Sequence, residues 1–358
     1  MSVKSLLLCL LLSSAVCTAD AQAQGFAGLG TSADGFAIPQ RGVPFRFPAD
    51  HGPHPDYRIE WWYLTADLKG ADGKAYGVQW TLFRSALAPG AKADWSSPQI
   101  WMGNAAITTP TAHYVSERLS RDGAGAAGVD ATPFAAWIDD WQMKSLLKAG
   151  SAADALSLID LRATGSNFRY DLRLSARGPI VAQGEGGYSV KSAGGQASNY
   201  YSQPFYAAEG VLKLPDGDVA VTGEAWLDRE WSSQPLSSDQ TGWDWFSLHL
   251  ENGEKLMGFR LRDSGAGFTS ATWIAADGTP TPLPAGALTI TPLKTTDVAG
   301  HKVPTEWRLD IPTRHFSVTT TPLNAQAWMA TRFPYWEGPI SFEGSQKGRG
   351  YLEMTGYN

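Results

Sequence analysis

The chain has 358 residues, a formal charge of −6, fifteen tryptophans and only two cysteines. No run of Lys and Arg forms a basic patch, which argues against a nucleic-acid binder and leaves an electrostatic membrane-surface role without support. Cys9 and Cys17 both lie in the N-terminal leader, so the rest of the chain must be held by its core rather than by disulfides.

The opening MSVKSLLLCLLLSSAVC, with Lys4 ahead of an apolar run and small residues leading to Ala21-Gln22-Ala23, reads as a secretory signal peptide over 1–23. The run is too short to remain as a membrane anchor, so no integral membrane segment is expected after cleavage and the address is secreted or periplasmic. Lipoprotein anchoring through Cys17 is not expected, because Val16 stands where Gly, Ala or Ser is wanted. Residues 24–42 are Gly/Ala-rich and read as a loose arm. The remainder, about 335 residues, exceeds what one core usually serves, and the expectation is two domains, 43–223 and 224–358.

The chain is organised around Phe47 to Arg84. A turn-rich lead-in carrying Asp50, His51, His54 and Arg58 precedes a β-hairpin. Alternation from Glu60 places Glu60, Trp62, Leu64, Ala66 and Leu68 on one face and Trp61, Tyr63, Thr65 and Asp67 on the other. Ala71-Asp72-Gly73 turns the chain, and Tyr76 to Phe83 returns. With aromatic groups on both faces, the ribbon needs cover on both and reads as the wall of a barrel or sandwich. Beyond it, Ile100 to Thr108 is a strand, and 134–147 and 156–174 read as short strands although Trp137 and Trp141 are also spaced for a helical face. Val211 to Leu214, the turn Pro215-Asp216-Gly217 and the strand Val219 to Trp226 follow. Gly242 to Arg262 then loosely repeats the opening hairpin, with Asn252-Gly253 as its turn and arginine at its end. Trp307 to Ile311, Phe316 to Thr320 and Tyr351 to Thr355 complete an all-β chain of two related domains.

Four constellations could carry chemistry. Asp50-His51-Gly52-Pro53-His54 with Glu60 admits metal ligation, a pocket-rim role or plain architecture, and its spacing is weak for a metal, so none is assigned. In Trp226-Leu227-Asp228-Arg229-Glu230-Trp231, alternation puts Asp228 and Glu230 on one side with Trp226, and Arg229 and Trp231 on the other. A carboxyl group against indole rings is prepared as a general acid by desolvation, while an ion pair pinning two sheets explains the same residues equally well. Trp243, Asp244, Trp245, Phe246 and His249 form the third set, and Tyr335, Trp336 and Glu337 the fourth; such aromatic faces line pockets for apolar ligands, or simply fill a core. No Gly-x-Ser-x-Gly elbow, Walker loop, dinucleotide fingerprint or paired-cysteine zinc site is present.

Five segments, FPADHGPHPDYRIEWWYLTADL, GEAWLDREWSS, GWDWFSLHLENGEKLMGFRLR, YWEGPISFEG and GRGYLEMTGY, resemble in order the AttH-like secreted proteins that share a superfamily with carotenoid 1,2-hydratase. The resemblance implies a pair of lipocalin-like β-barrels joined near 223–231. In the hydratase branch it implies acid-catalysed addition of water to an acyclic carotenoid without an organic cofactor. There a histidine stands between the acid and the tryptophan of the second motif. Here that place is Arg229, which cannot relay a proton, and the change points away from carotenoid hydration itself. The expectation is a cofactor-independent acid/base enzyme for an apolar, isoprenoid- or polyene-like substrate, by hydration, cyclisation or hydrolysis. Asp228, Glu230, Asp50 and His51 are its candidate catalytic groups. Trp61, Trp62, Tyr63, Trp231, Trp243, Trp245, Tyr335 and Trp336 are the candidate lining, with Arg229, Glu60, Asp244 and Glu337 as supporting charges. The rival readings are a non-catalytic carrier of a hydrophobic ligand, and an ester hydrolase using Ser232, Ser233 or Ser247.

Overall fold

The computed structural model describes residues 33–92, 94–148, 150–234, 236 and 239–357. The expected leader and the first part of the arm lie outside the described residues. The described part of the arm is docked rather than loose: Ala37 N–H donates to the Asp56 carbonyl at 2.9 Å, and the Arg58 guanidinium lies 5.3 Å from the Phe36 ring.

The first sheet comprises β1 (Ile59–Gly70), β2 (Ala75–Ala86), β3 (Gln99–Thr108), β4 (His113–Arg121), β5 (Ala127–Ala131), β6 (Phe134–Ile138), β7 (Trp141–Ser145), β8 (Leu158–Thr164), β9 (Arg169–Ala176), β10 (Val181–Ala182), β11 (Tyr188–Val190), β12 (Ala197–Leu214) and β13 (Gly217–Ser232). The second comprises β14 (Gly242–Leu250), β15 (Lys255–Arg262), β16 (Phe268–Ile274), β17 (Pro280–Leu283), β18 (Thr289–Val298), β19 (His301–Ile311), β20 (Phe316–Pro322), β21 (Trp328–Met329), β22 (Tyr335–Gly344) and β23 (Gly348–Thr355). Hydrogen bonding orders the first as β4-β3-β2-β1-β13-β12-β9-β8-β7-β6-β5, with β10 and β11 also on β12, and it curls into a nearly closed barrel. The second runs β17-β16-β15-β14-β23-β22-β20-β19-β18 as a half-barrel. This is the expected all-β architecture of two lipocalin-like barrels.

The repeat read between the two hairpins extends to topology. In each sheet the first strand pairs antiparallel with both its successor and the last strand, β1 with β2 and β13, β14 with β15 and β23. Each hairpin also carries a carboxylate–arginine pair between its strands, Glu60 with Arg84 and Asp244 with Arg260 and Arg262. The first turn uses Gly73 at φ +83°, a conformation that a Cβ would strain. The boundary expected at 223/224 falls inside β13, a strand paired wholly within the first sheet, so the chain changes sheet only between Ser232 and Gly242.

Alternation along β1 and β13 decides what faces where. Trp62, Leu64, Leu227 and Trp231 point into the barrel and join its core, whereas Tyr63 and Trp226 point outward into a separate cluster with Trp245, Met257, Phe259 and Tyr351 of the second sheet. That cluster is the interface between barrels. On β2 the contact leaves no room for a side chain, because a Cβ at Gly77 would stand 2.6 Å from Pro339 and 2.8 Å from the Tyr351 hydroxyl. Gly77→Val is therefore expected to destabilise the chain by about 1–3 kcal/mol through overpacking. An unchanged urea midpoint would show that the barrels do not bear on each other here.

Candidate active site

Between the barrels lies a cavity of about 130 Å³ walled by Trp61 and Phe83 of the first sheet and Trp243, Trp245, Phe259 and Leu261 of the second. Three carboxylates open into it, Asp228 and Glu230 from β13 and Glu353 from β23, together with the Lys191 ammonium. The registers explain the convergence. Tyr63 stands opposite Asp228, Trp61 opposite Glu230, and Trp245 and Glu337 flank Glu353 on adjacent strands.

The three acids have different surroundings. Glu230 lies 2.7 Å from the Lys191 ammonium and accepts from the Ser198 hydroxyl. Among the described residues Asp228 has no cationic partner. It accepts from the Tyr200 hydroxyl at 2.6 Å, the Ser202 hydroxyl and the Trp226 indole N–H at 2.6 Å. Burial outweighs these donors and, with Glu230 nearby, pushes its carboxyl up to about 7. Glu353 likewise has no cationic partner among the described residues. It accepts from the Trp243 indole N–H at 2.6 Å, and burial first, then the charges of Asp228 and Glu230, raise it to about 7. The site therefore holds one salt-bridged acid and two that change protonation near neutrality, against indole faces.

Behind Glu353 a polar chain continues into the interface. The Tyr63 hydroxyl donates to Glu337 at 2.5 Å, and Asn104 donates to the Tyr335 hydroxyl beside it at 3.2 Å. Burial first, and then the neighbouring Glu353, push the Glu337 carboxyl well above the usual carboxylate range. Tyr63 is likewise kept protonated by burial and these acids.

The remaining expected residues occupy other places. Arg229 points into the first barrel, where it and Arg84 bracket the buried Glu60, and its guanidinium lies 3.8 Å from the Trp62 ring centroid. Trp231 is there too, stacked on His54 at 3.9 Å. Asp50 approaches His54 at 3.4 Å, while His51 contacts the Tyr201 hydroxyl at 2.7 Å and Asp154 at 3.1 Å. Neither Asp50 nor His51 lines the cavity. The pocket-rim role expected for them is thus replaced by architecture, since the lead-in folds onto the barrel interior while Asp228 faces outward. Among the described residues no group of three or more His, Cys, Asp or Glu side chains is arranged around a metal position. Asp244 is committed to Arg260, Arg262 and the Tyr357 hydroxyl, and Trp336 belongs to the second core. Ser232 lines the cavity but donates to the Ala197 carbonyl at 2.7 Å, and among the described lining residues there is no histidine to serve it as a base.

Glu353, Lys191, Tyr200 and Phe259 are site residues that sequence reasoning did not single out. Glu353 stood in the GRGYLEMTGY segment, and its signal was a lone carboxylate at an alternating position of an apolar strand.

Fold and site together define a two-barrel lipocalin-like protein with an aromatic, carboxylate-bearing cavity between its domains. The family model described as AttH-like matches residues 38–357, and the chain belongs to that family. Among solved structures, an AttH protein from Nitrosomonas europaea is 30% identical, with a TM-score of 0.78 over 90% of this chain and 100% of that one. Kievitone hydratase from Nectria haematococca shares the fold at 17% identity, with a TM-score of 0.67 over 90% of this chain and 98% of that one. A comparison with curated protein sequences gave no match.

Proposed function

We propose that the chain is an exported, hydratase-like acid/base enzyme that adds water to a trisubstituted double bond of an apolar, isoprenoid-like substrate in the cavity between the barrels. One observation carries this reading: Asp228, its carboxyl raised to about 7 by burial and without a cationic partner among the described residues, opens into a chamber lined by tryptophan rings. Protonating an alkene requires a neutral carboxylic acid, and the tertiary cation that forms is favoured by aromatic faces such as Trp61, Trp243 and Trp245. The fold shared with a protein named a hydratase supports the same reaction class, and the leader read in the sequence supports export. The chemistry is assigned to the chain's own side chains, with no organic cofactor. Farnesol in ¹⁸O-water tests it. The expected product is a tertiary alcohol carrying the label, and Asp228→Asn is expected to lower its formation at least ~100-fold while farnesol still quenches tryptophan fluorescence. Turnover undiminished in Asp228→Asn would end the assignment. Quenching without product in the wild type would favour the carrier reading, for which the aromatic walls are the supporting observation.

A further inference from the structure

We infer that Glu353 of the second barrel is the partner base of Asp228, so that the reaction is completed by a residue from each domain and a positioning chain through Tyr63 to Glu337 serves it. The inference rests on the reading of Asp228 as the acid. Hydration needs two proton-handling groups: one gives a proton to the alkene carbon, and one takes a proton from the attacking water.

Two carboxylates besides Asp228 line the cavity, and their contacts separate them. Glu230 is already engaged, its Oε1 meeting the Lys191 ammonium at 2.7 Å and accepting from the Ser198 hydroxyl. Glu353 stands on the opposite sheet, where among the described residues it has the Trp243 N–H as donor and no cationic partner. The charged and titratable groups facing it are Asp228 and Glu230 from β13, Tyr63 from β1, Glu337 and Tyr335 from β22, and Lys191 beyond Glu230. Only Lys191 among these carries positive charge, and it is taken.

The atoms balance without any further reactant. The Asp228 proton forms the new C–H bond at the less substituted carbon, leaving a carboxylate and a tertiary cation. Water forms the C–O bond, and its proton passes to the Glu353 carboxylate. A cavity water then returns that proton to Asp228, and the sum is addition of H₂O. Tyr63 makes Glu353 suited to the exchange. Its hydroxyl is shared between Glu353 and Glu337, so when Glu353 is ionised the hydroxyl can turn and donate to it. When Glu353 takes the proton, the Tyr63 hydroxyl swings to Glu337, the direction in which the structure holds it.

The test uses the full chain and two probes, farnesol and N,N-dimethylfarnesylamine, whose protonated nitrogen imitates the tertiary cation. In the wild type the ammonium is expected to bind more tightly as pH rises through about 7, where Asp228 and Glu353 ionise. Glu353→Gln is expected to weaken it at least tenfold at pH 8 while leaving farnesol binding unchanged, which also shows that the cavity is intact. Farnesol hydration should fall at least tenfold in kcat with little change in KM, and the acidic limb of its pH profile should vanish. Tyr63→Phe should keep the limb but move its midpoint. Glu353→Gln binding the ammonium as tightly as wild type, or hydrating with an unaltered pH profile, would overturn the inference. If Asp228→Asn is inactive in that same case, Asp228 stands as the acid without Glu353. If instead Asp228→Asn is fully active, the proposed function itself falls.

Discussion

Glu60→Ala is expected to destabilise the chain by about 3–5 kcal/mol, the cost of leaving buried charges without their partner. Glu60 is fully buried between two guanidiniums: Arg84 donates to one carboxylate oxygen and Arg229 to the other, at 2.5 Å for the latter. The His54 backbone N–H adds contacts at 2.9 and 3.1 Å. Although burial opposes ionisation, Arg84 and then Arg229 hold this carboxyl well below the usual range. A guanidinium cannot shed its charge in a protein, so removing Glu60 strands two of them inside the barrel. Joint replacement of Glu60, Arg84 and Arg229 by apolar residues of similar volume should cost far less than the single change, because the desolvation of three charges disappears with them. Urea unfolding of the single and triple variants measures both. A loss under about 1 kcal/mol for Glu60→Ala would mean that water screens the cluster as it does a surface pair.

That cluster also shows how far the sequence could be read. Alternation in Glu60–Leu68 and Trp226–Trp231 separated Asp228 and Glu230 from Arg229 and Trp231, and the strands keep that separation. Which face looked outward was not legible, because both faces are aromatic and a period of two assigns sides without naming them. Asp50 and His51 therefore read as a rim to the acids, although the barrel wall stands between them. Trp62 and Trp231 read as lining for the same reason and are core. Glu353 escaped notice because its partners, Tyr63, Trp243 and Asp228, come from strands far away in the chain, and only register brings them together. The departure at 229, where the resemblance implied a histidine, loses its bearing on the cavity once Arg229 is seen to point into the barrel.

Asp228→Asn is expected to make the protein more stable at pH 8 than the wild type, while the two differ little below pH about 3.8, where Asp228 is protonated in both states. In the unfolded chain Asp228 releases its proton near 3.8, and in the folded chain near 7. Between those values the folded state binds more protons, so stability falls as pH rises through the window, and the loss is complete above about 7. Three pH units at about 1.4 kcal/mol each set a ceiling near 4 kcal/mol, and about 2–4 kcal/mol is expected at pH 8. Asparagine removes the penalty and keeps most of the contacts: its oxygen can still accept from Ser202 and Trp226, and its N–H can donate to the Tyr200 hydroxyl. Urea unfolding of both proteins at about pH 3.5 and pH 8 gives the difference directly, about pH 3.5 lying below the unfolded value. Parallel stability profiles would mean that Asp228 ionises in the folded chain as it does in water, and such a group could not arrive at the double bond still holding its proton. A gain at pH 8 together with lost turnover would identify a residue whose cost to the fold is tolerated for its chemistry, as expected of a buried acid kept for function.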